Sequence, residues 1–195
     1  MGIQSGRVFL YWNYYIALEQ DLAKLSRYIE FAEGNFSTYS IELAHLLLAA
    51  SSEVDVVMKE LCSILSPNDQ RRNIGDYKRI VEKELPVLID EKCYVHRFNL
   101  TLEPWSNWSG SRHPAWWRSY NNVKHHRAEK YSEANLKNAL NAMAGLHALV
   151  VHYYATYFKA EQGVTDIRRV TDQLQPEPEL IKLDENYYTH VLALS

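Results

Sequence analysis

Between Leu136 and Tyr157 the residues Leu136, Ala139, Leu140, Met143, Leu146, Val150, Tyr153 and Tyr157 recur at three- and four-residue steps. That period matches one face of an α-helix and does not match a strand, whose side chains alternate every second residue. A helix this long and apolar has to bury its stripe against other helices. Asn138, Asn141, His147 and His152 interrupt the stretch Leu136–Phe158, so it reads as a buried helix and not as a membrane span. Ala142, Ala144 and Gly145 leave room on it for a neighbouring helix to approach closely.

Two more stripes supply partners. From about Val8 to Glu33, Tyr11, Tyr14, Tyr15, Leu18, Leu22, Leu25 and Ile29 line one face, and Gly34-Asn35 ends the run. Ser37, Thr38 and Ser40 offer N-cap oxygens for a second helix that runs to about Ser66. Its buried face is Leu43, Leu47, Ala50, Val54, Val57, Leu61 and Leu65, with His45, Ser52, Asp55 and Lys59 opposite. A shorter helix spans Asp76 to Asp90, with Pro86 placed to kink or split it. Around residues 91–110 the periodicity shifts toward loose alternation, which predicts a short hairpin or extended insertion, followed by a loop carrying Trp105 and Trp108. Pro114 fits the first position of a helix to about Tyr131, and Ser132 or Asn135 starts the last long helix, to about Glu161. The tail from 162 to 195, with Pro176 and Pro178, reads as irregular with one short strand near Leu180–Leu183. The expected fold is all-α: an antiparallel bundle of about five helices in one domain over 1–195, with an insertion at 91–113.

Composition narrows the function classes. A net charge of −3 confines any nucleic-acid contact to a local patch. Two cysteines, Cys62 and Cys93, make no disulfide framework, and together with the lack of a signal-peptide pattern or lipidation motif this places the chain in the cytoplasm. His125-His126 and His147/His152 have poor metal-ligand spacing, and no HExxH, paired-cysteine zinc, Gly-rich phosphate loop or nucleophile-elbow pattern occurs; no metal or cofactor is expected.

The segment that carries chemistry begins at Pro114. Arg118 and His125 lie seven residues apart, two helical turns, and therefore point the same way, with Asn122 between them and Glu129 extending the row. Trp116, Tyr120 and Val123 occupy the opposite face. Arg is a permanently charged fork that can grip a phosphate or stabilise charge growing on it, and His moves protons near neutral pH. Cleavage of RNA by its own 2′-hydroxyl needs such groups and no metal.

Here the sequence resembles the HEPN superfamily, helical bundles marked by an Arg, four to six residues, and a His; Arg118-x6-His125 fits that pattern. The resemblance covers Val8–Ser66 and Pro114–Glu161. It implies a homodimer whose two protomers bring Arg and His together, RNA as the bound partner, metal-independent ribonuclease activity, and a setting in toxin–antitoxin or phage-defence systems with an antitoxin or other protein partner. Arg118 would position phosphate and His125 would transfer protons. Members often carry Asn, Asp or His directly after the Arg; this chain has Ser119, which makes Asn122 the substitute. An acidic residue of an earlier helix can orient the Arg, a role for Glu53 or Asp55. Lys124, His126 and Arg127 would supply a basic RNA-binding patch.

Two other readings are compatible with the same residues. The Arg118–Glu129 row is also what a solvated face with a His125–Glu129 ion pair looks like, and Lys124–Arg127 complement the negative end of a helix dipole. A non-catalytic module that docks another protein through the bundle and the aromatic insertion is the functional alternative. A bundle that binds a small molecule or nucleotide is a third.

Overall fold

The computed structural model describes residues 6–108 and 112–189. The long apolar stripes form helices, and side-chain caps set the starts of several of them. Helix α1 spans Leu10–Leu25, α2 Ile41–Leu65, α3 Ile74–Glu84, α4 Ala115–Lys130, α5 Leu136–Gln162 and α6 Ile167–Thr171. The Ser40 hydroxyl accepts the Leu43 N–H, Asn73 accepts the N–H groups of Gly75 and Asp76, and Asn135 accepts that of Asn138, which fixes the starts of α2, α3 and α5. Gly163, at φ 68°, ends α5 in the left-handed conformation that costs glycine least. Pro86 ends α3 early: Leu85 leaves the helical region before it, at φ −145° and ψ 54°, and a 3₁₀ turn follows.

The molecule is mainly helical with a small hairpin, as the periodicity predicts. α2 and α5 form the most extensive contact, burying Leu43, Leu47, Ala50, Val54, Leu61, Leu140, Met143 and Val150 completely. Each of the Leu, Val and Met side chains among them contributes about 1.5–3 kcal/mol. These two helices start side by side, with the Leu136 N–H bonded to the Thr38 carbonyl at 2.9 Å. α1 runs against them, since its start meets the end of α5: Phe9 lies edge-on to Tyr154 and Phe158. Gly145 lets Trp116 of α4 sit directly on α5, because a Cβ there would come within 3.1 Å of the indole.

Three expectations need correction. α1 stops at Leu25, not near Glu33; the Ser26 hydroxyl bonds back to the Ala23 carbonyl at 2.7 Å, and the chain then turns to bury Phe31 against Phe98. Its buried face is Trp12, Tyr15, Ile16, Glu19 and Leu22, so the true stripe is rotated from the expected one and Tyr14 is left 42% exposed. Pro114 is the residue before the first helical one, with ψ 138°, instead of that first residue. Of the expected loop through Gly110, residues 109–111 lie outside those described, as do tail residues 190–195.

The hairpin is where it was expected: β1, Cys93–Val95, pairs antiparallel with β2, Leu100–Leu102, with Cys93 opposite Leu102 and Asn99 at φ 50° in the turn. Trp105 and Trp108 are fully buried and pack on each other, and Trp105 packs edge-on to Trp116, so the aromatic loop serves the core.

The tail is bound far more tightly than its sequence suggests. Besides forming α6, it adds a bridge to the hairpin through Lys182 and Tyr94. Glu19, only 2% exposed, accepts the N–H groups of Glu179, Leu180 and Ile181 at 2.8, 3.1 and 2.9 Å, and the Tyr15 hydroxyl at 3.1 Å. A second buried carboxylate, Glu91, meets His152 Nε2 at 2.7 Å and accepts the Tyr187 hydroxyl. Charge-assisted bonds of this kind are about twice as strong as neutral ones. His147 sits in the core beside this clamp, stacked on Tyr15, and neither ring nitrogen has a partner among the described residues.

Candidate functional cleft

Arg118 opens into a cleft of about 660 Å³. α2 contributes Asp55, and the start of α3 contributes Asn73 and Ile74. The segment before α4 adds Asn107, Arg112 and His113; α4 adds Ala115, Trp117, Arg118, Asn121 and Asn122. Local structure explains the placement. Trp116, Trp117, Tyr120 and Val123 turn inward from α4, which leaves Arg118 on the open side. The first turn of α4 has neither an acidic residue nor a side-chain cap, so its positive dipole end faces the cleft uncompensated.

Two guanidinium groups, an imidazole and a helix N-terminus on one concave surface favour an anionic ligand. The amides are partly committed. Asn73 caps α3 through Oδ1, Asn121 donates to the Trp117 carbonyl at 2.9 Å, and Asn122 donates to both carboxylate oxygens of Glu133 at 2.9 and 3.1 Å. Asn122 therefore fastens α4 to the link before α5 while still lining the cleft. Burial first, and then the neighbouring Asp55 carboxylate, hold the Tyr77 hydroxyl protonated above its ordinary range.

The residues singled out in the sequence divide between this cleft and other surfaces. Arg118, Asn122 and Asp55 come together in it. His125 is exposed on the same side of α4 as Arg118, but about 10 Å further along the axis, and it is not among the cleft residues. The regular helix breaks immediately after it, where His126 adopts φ −133°, ψ 38°. Ser119 is buried, 6% exposed, so it does not act beside Arg118. Glu53 lies on another side of α2 from Asp55, as two residues on a helix must; it is half-buried, burial pushes its carboxyl up, and its charge reaches Tyr11 of α1. Lys124 folds over the Tyr120 ring and donates to its hydroxyl at 3.1 Å. Arg127 turns to a separate groove of about 580 Å³ with Ile41, Ala44, His45, Ala128 and Tyr131. Lys124, His126 and Arg127 are not among the residues that line the Arg118 cleft. No His125–Glu129 ion pair forms among the described residues.

Sequence reasoning missed Arg112, His113 and Asn107. They sit in an aperiodic segment, where no stripe signals direction. Position relative to the helix start was the one available clue, since His113 is the residue before the cap and Arg118 the fourth of the helix, positions whose side chains commonly meet.

Cys62 and Cys93 are free and buried; burial pushes the Cys62 thiol up to about 12. No group of three or more His, Cys, Asp or Glu among the described residues is disposed to hold a metal ion, and no helix among them is long and apolar enough to cross a membrane. Comparison with family models, curated proteins and solved structures returns no match.

Proposed function

We propose that this chain is a HEPN-like RNA-binding protein that holds the phosphate backbone in the Arg118 cleft and cleaves the strand without a metal ion. The observation that carries the reading is the Arg118 guanidinium, exposed and with no bonded partner among the described residues, sharing a concave surface with Arg112 and His113. Fixed cationic donors in a cleft stabilise the charge that builds on a phosphate during attack. The overall charge of −3 makes such a local site the required form of nucleic-acid contact. The resemblance sets this activity in a toxin–antitoxin or phage-defence system.

A homodimer is part of the proposal. The Arg127 groove has a mostly apolar lining in which Ile41 is 64% exposed, and nearby in sequence Tyr39 is 51% exposed. A second copy seated there would cover surface that a monomer leaves wet. The same surface also favours the alternative, a docking module without catalysis.

Fluorescence anisotropy with single-stranded RNA tests the proposal. Arg118→Ala is expected to weaken binding about tenfold and to lower the salt slope by about one. Wild-type cleavage is expected to persist in EDTA. Equal affinity and slope in both proteins would remove the cleft from RNA binding.

A further inference from the structure

Transphosphorylation of RNA needs two proton transfers: one from the attacking 2′-hydroxyl and one to the departing 5′-oxygen. Within one protomer His125 lies outside the cleft, so the groups that share the cleft with Arg118 are the ones placed to supply both. Among the described residues that line the cleft, two carry a carboxylate or an imidazole, Asp55 and His113; Arg112 and Arg118 are fixed cations, and the amides and the indole do not titrate.

They arrive from different elements. Asp55 projects from the exposed face of α2, a rigid helix of 25 residues, beside the buried ring of Tyr77. His113 precedes the cap of α4, next to the position from which Arg118 emerges one turn later. A phosphate held by Arg118 and Arg112 therefore has a carboxylate on the α2 side and an imidazole on the α4 side. In-line displacement needs that division, because the nucleophile enters on one face of phosphorus while the leaving group departs from the opposite one.

Resting on the RNA-binding reading above, we infer that Asp55 is the general base and His113 the general acid of this cleft. Asp55 takes the 2′-hydroxyl proton as that oxygen bonds to phosphorus. The bond from phosphorus to the 5′-oxygen breaks, and that oxygen leaves with the proton of the His113 imidazolium. The products are a 2′,3′-cyclic phosphate and a 5′-hydroxyl end; Asp55 then loses its proton to water and His113 regains one. No electrons change hands and no co-reactant is consumed.

The test separates binding from chemistry. Binding is read with a 2′-O-methyl RNA that cannot react, and cleavage with the matching unmodified RNA in EDTA. His113→Ala and Asp55→Asn are expected to bind within about threefold of wild type and to cleave about 10²–10⁴-fold more slowly. Added imidazole is expected to restore part of the rate to His113→Ala, and each substitution to remove one limb of the pH–rate profile. Cleavage that survives either substitution overturns the assignment, as does its loss in His125→Ala while His113→Ala stays active. Wild type that binds but does not cleave also overturns it and leaves RNA binding intact. Wild type that does not bind removes both.

Discussion

Removing the Glu19 carboxylate is expected to loosen the C-terminal tail before it harms the helices. The side chain is 2% exposed and accepts four hydrogen bonds, three of them from consecutive backbone N–H groups of the tail. In Glu19→Ala the amides of Leu180 and Ile181, residues 5% and 0% exposed, lose their acceptor inside the protein. Each orphaned buried amide costs about 1–3 kcal/mol, so the pair costs about 2–6 kcal/mol. The Glu179 amide belongs to an exposed residue and adds little. The upper end is capped by undocking: once the cost exceeds what Leu180, Ile181 and Leu183 contribute, the segment lets go and its amides bind water. A loss of about 3–4 kcal/mol is therefore expected, with a smaller one for Glu19→Gln, which can keep its oxygen toward the Leu180, Ile181 and Tyr15 donors and turn its amide toward the Glu179 donor alone. Urea denaturation measures the loss, and hydrogen exchange at residues 179–181 locates it. A change under about 1 kcal/mol, with Leu180 and Ile181 amides as protected as in wild type, would refute the clamp.

Two further predictions concern the core. His147 is fully buried and burial, helped by Lys182, lowers it from 6.5 to about 3. The unfolded chain therefore takes up a proton that the folded one refuses: stability is complete above pH 6.5 and falls as pH drops toward 3, by on the order of 5 kcal/mol over that span. His147→Phe is expected to abolish this component in denaturation curves taken at several pH values, and an unchanged slope would contradict it. Gly145→Ala is expected to destabilise by about 1–2 kcal/mol despite alanine's better helix propensity. The new Cβ would press on Trp116, which cannot give way because its Nε1 is tied to the Pro104 carbonyl at 2.7 Å. A higher melting temperature in the variant would show that the indole has room.

What the sequence made legible follows from periodicity. The stripes of α2 and α5 are long and capped by Ser40 and Asn135, and both helices fall where spacing and caps put them. The end of α1 is not legible in this way, because a serine that bonds its own preceding turn leaves no mark in an apolar pattern. Glu19 was readable in principle: it falls between Tyr15 and Leu22 on the buried face, and a charge there signals a partner elsewhere in the chain. Its partner is main chain, which carries no residue code, so the docking of the tail stayed hidden. The cleft shows the same division. Arg118 and Asn122 could be placed from helical geometry, and Asp55 from the expectation of an acidic residue on an earlier helix. Arg112 and His113 could not, because tertiary packing alone directs residues in an aperiodic segment.

The paired clamps at Glu19 and Glu91 bear on how this protein can be cut down. A version ending at Gly163 would retain all five long helices and look, by helix count, like a finished bundle. It would also leave buried Glu19 with the Tyr15 hydroxyl alone and buried Glu91 with His152 alone, each stripped of the donors that the tail supplies. Trimming to the helices thus removes the very groups that let α1 and α5 close over charge, and the shortest workable form extends through Tyr187.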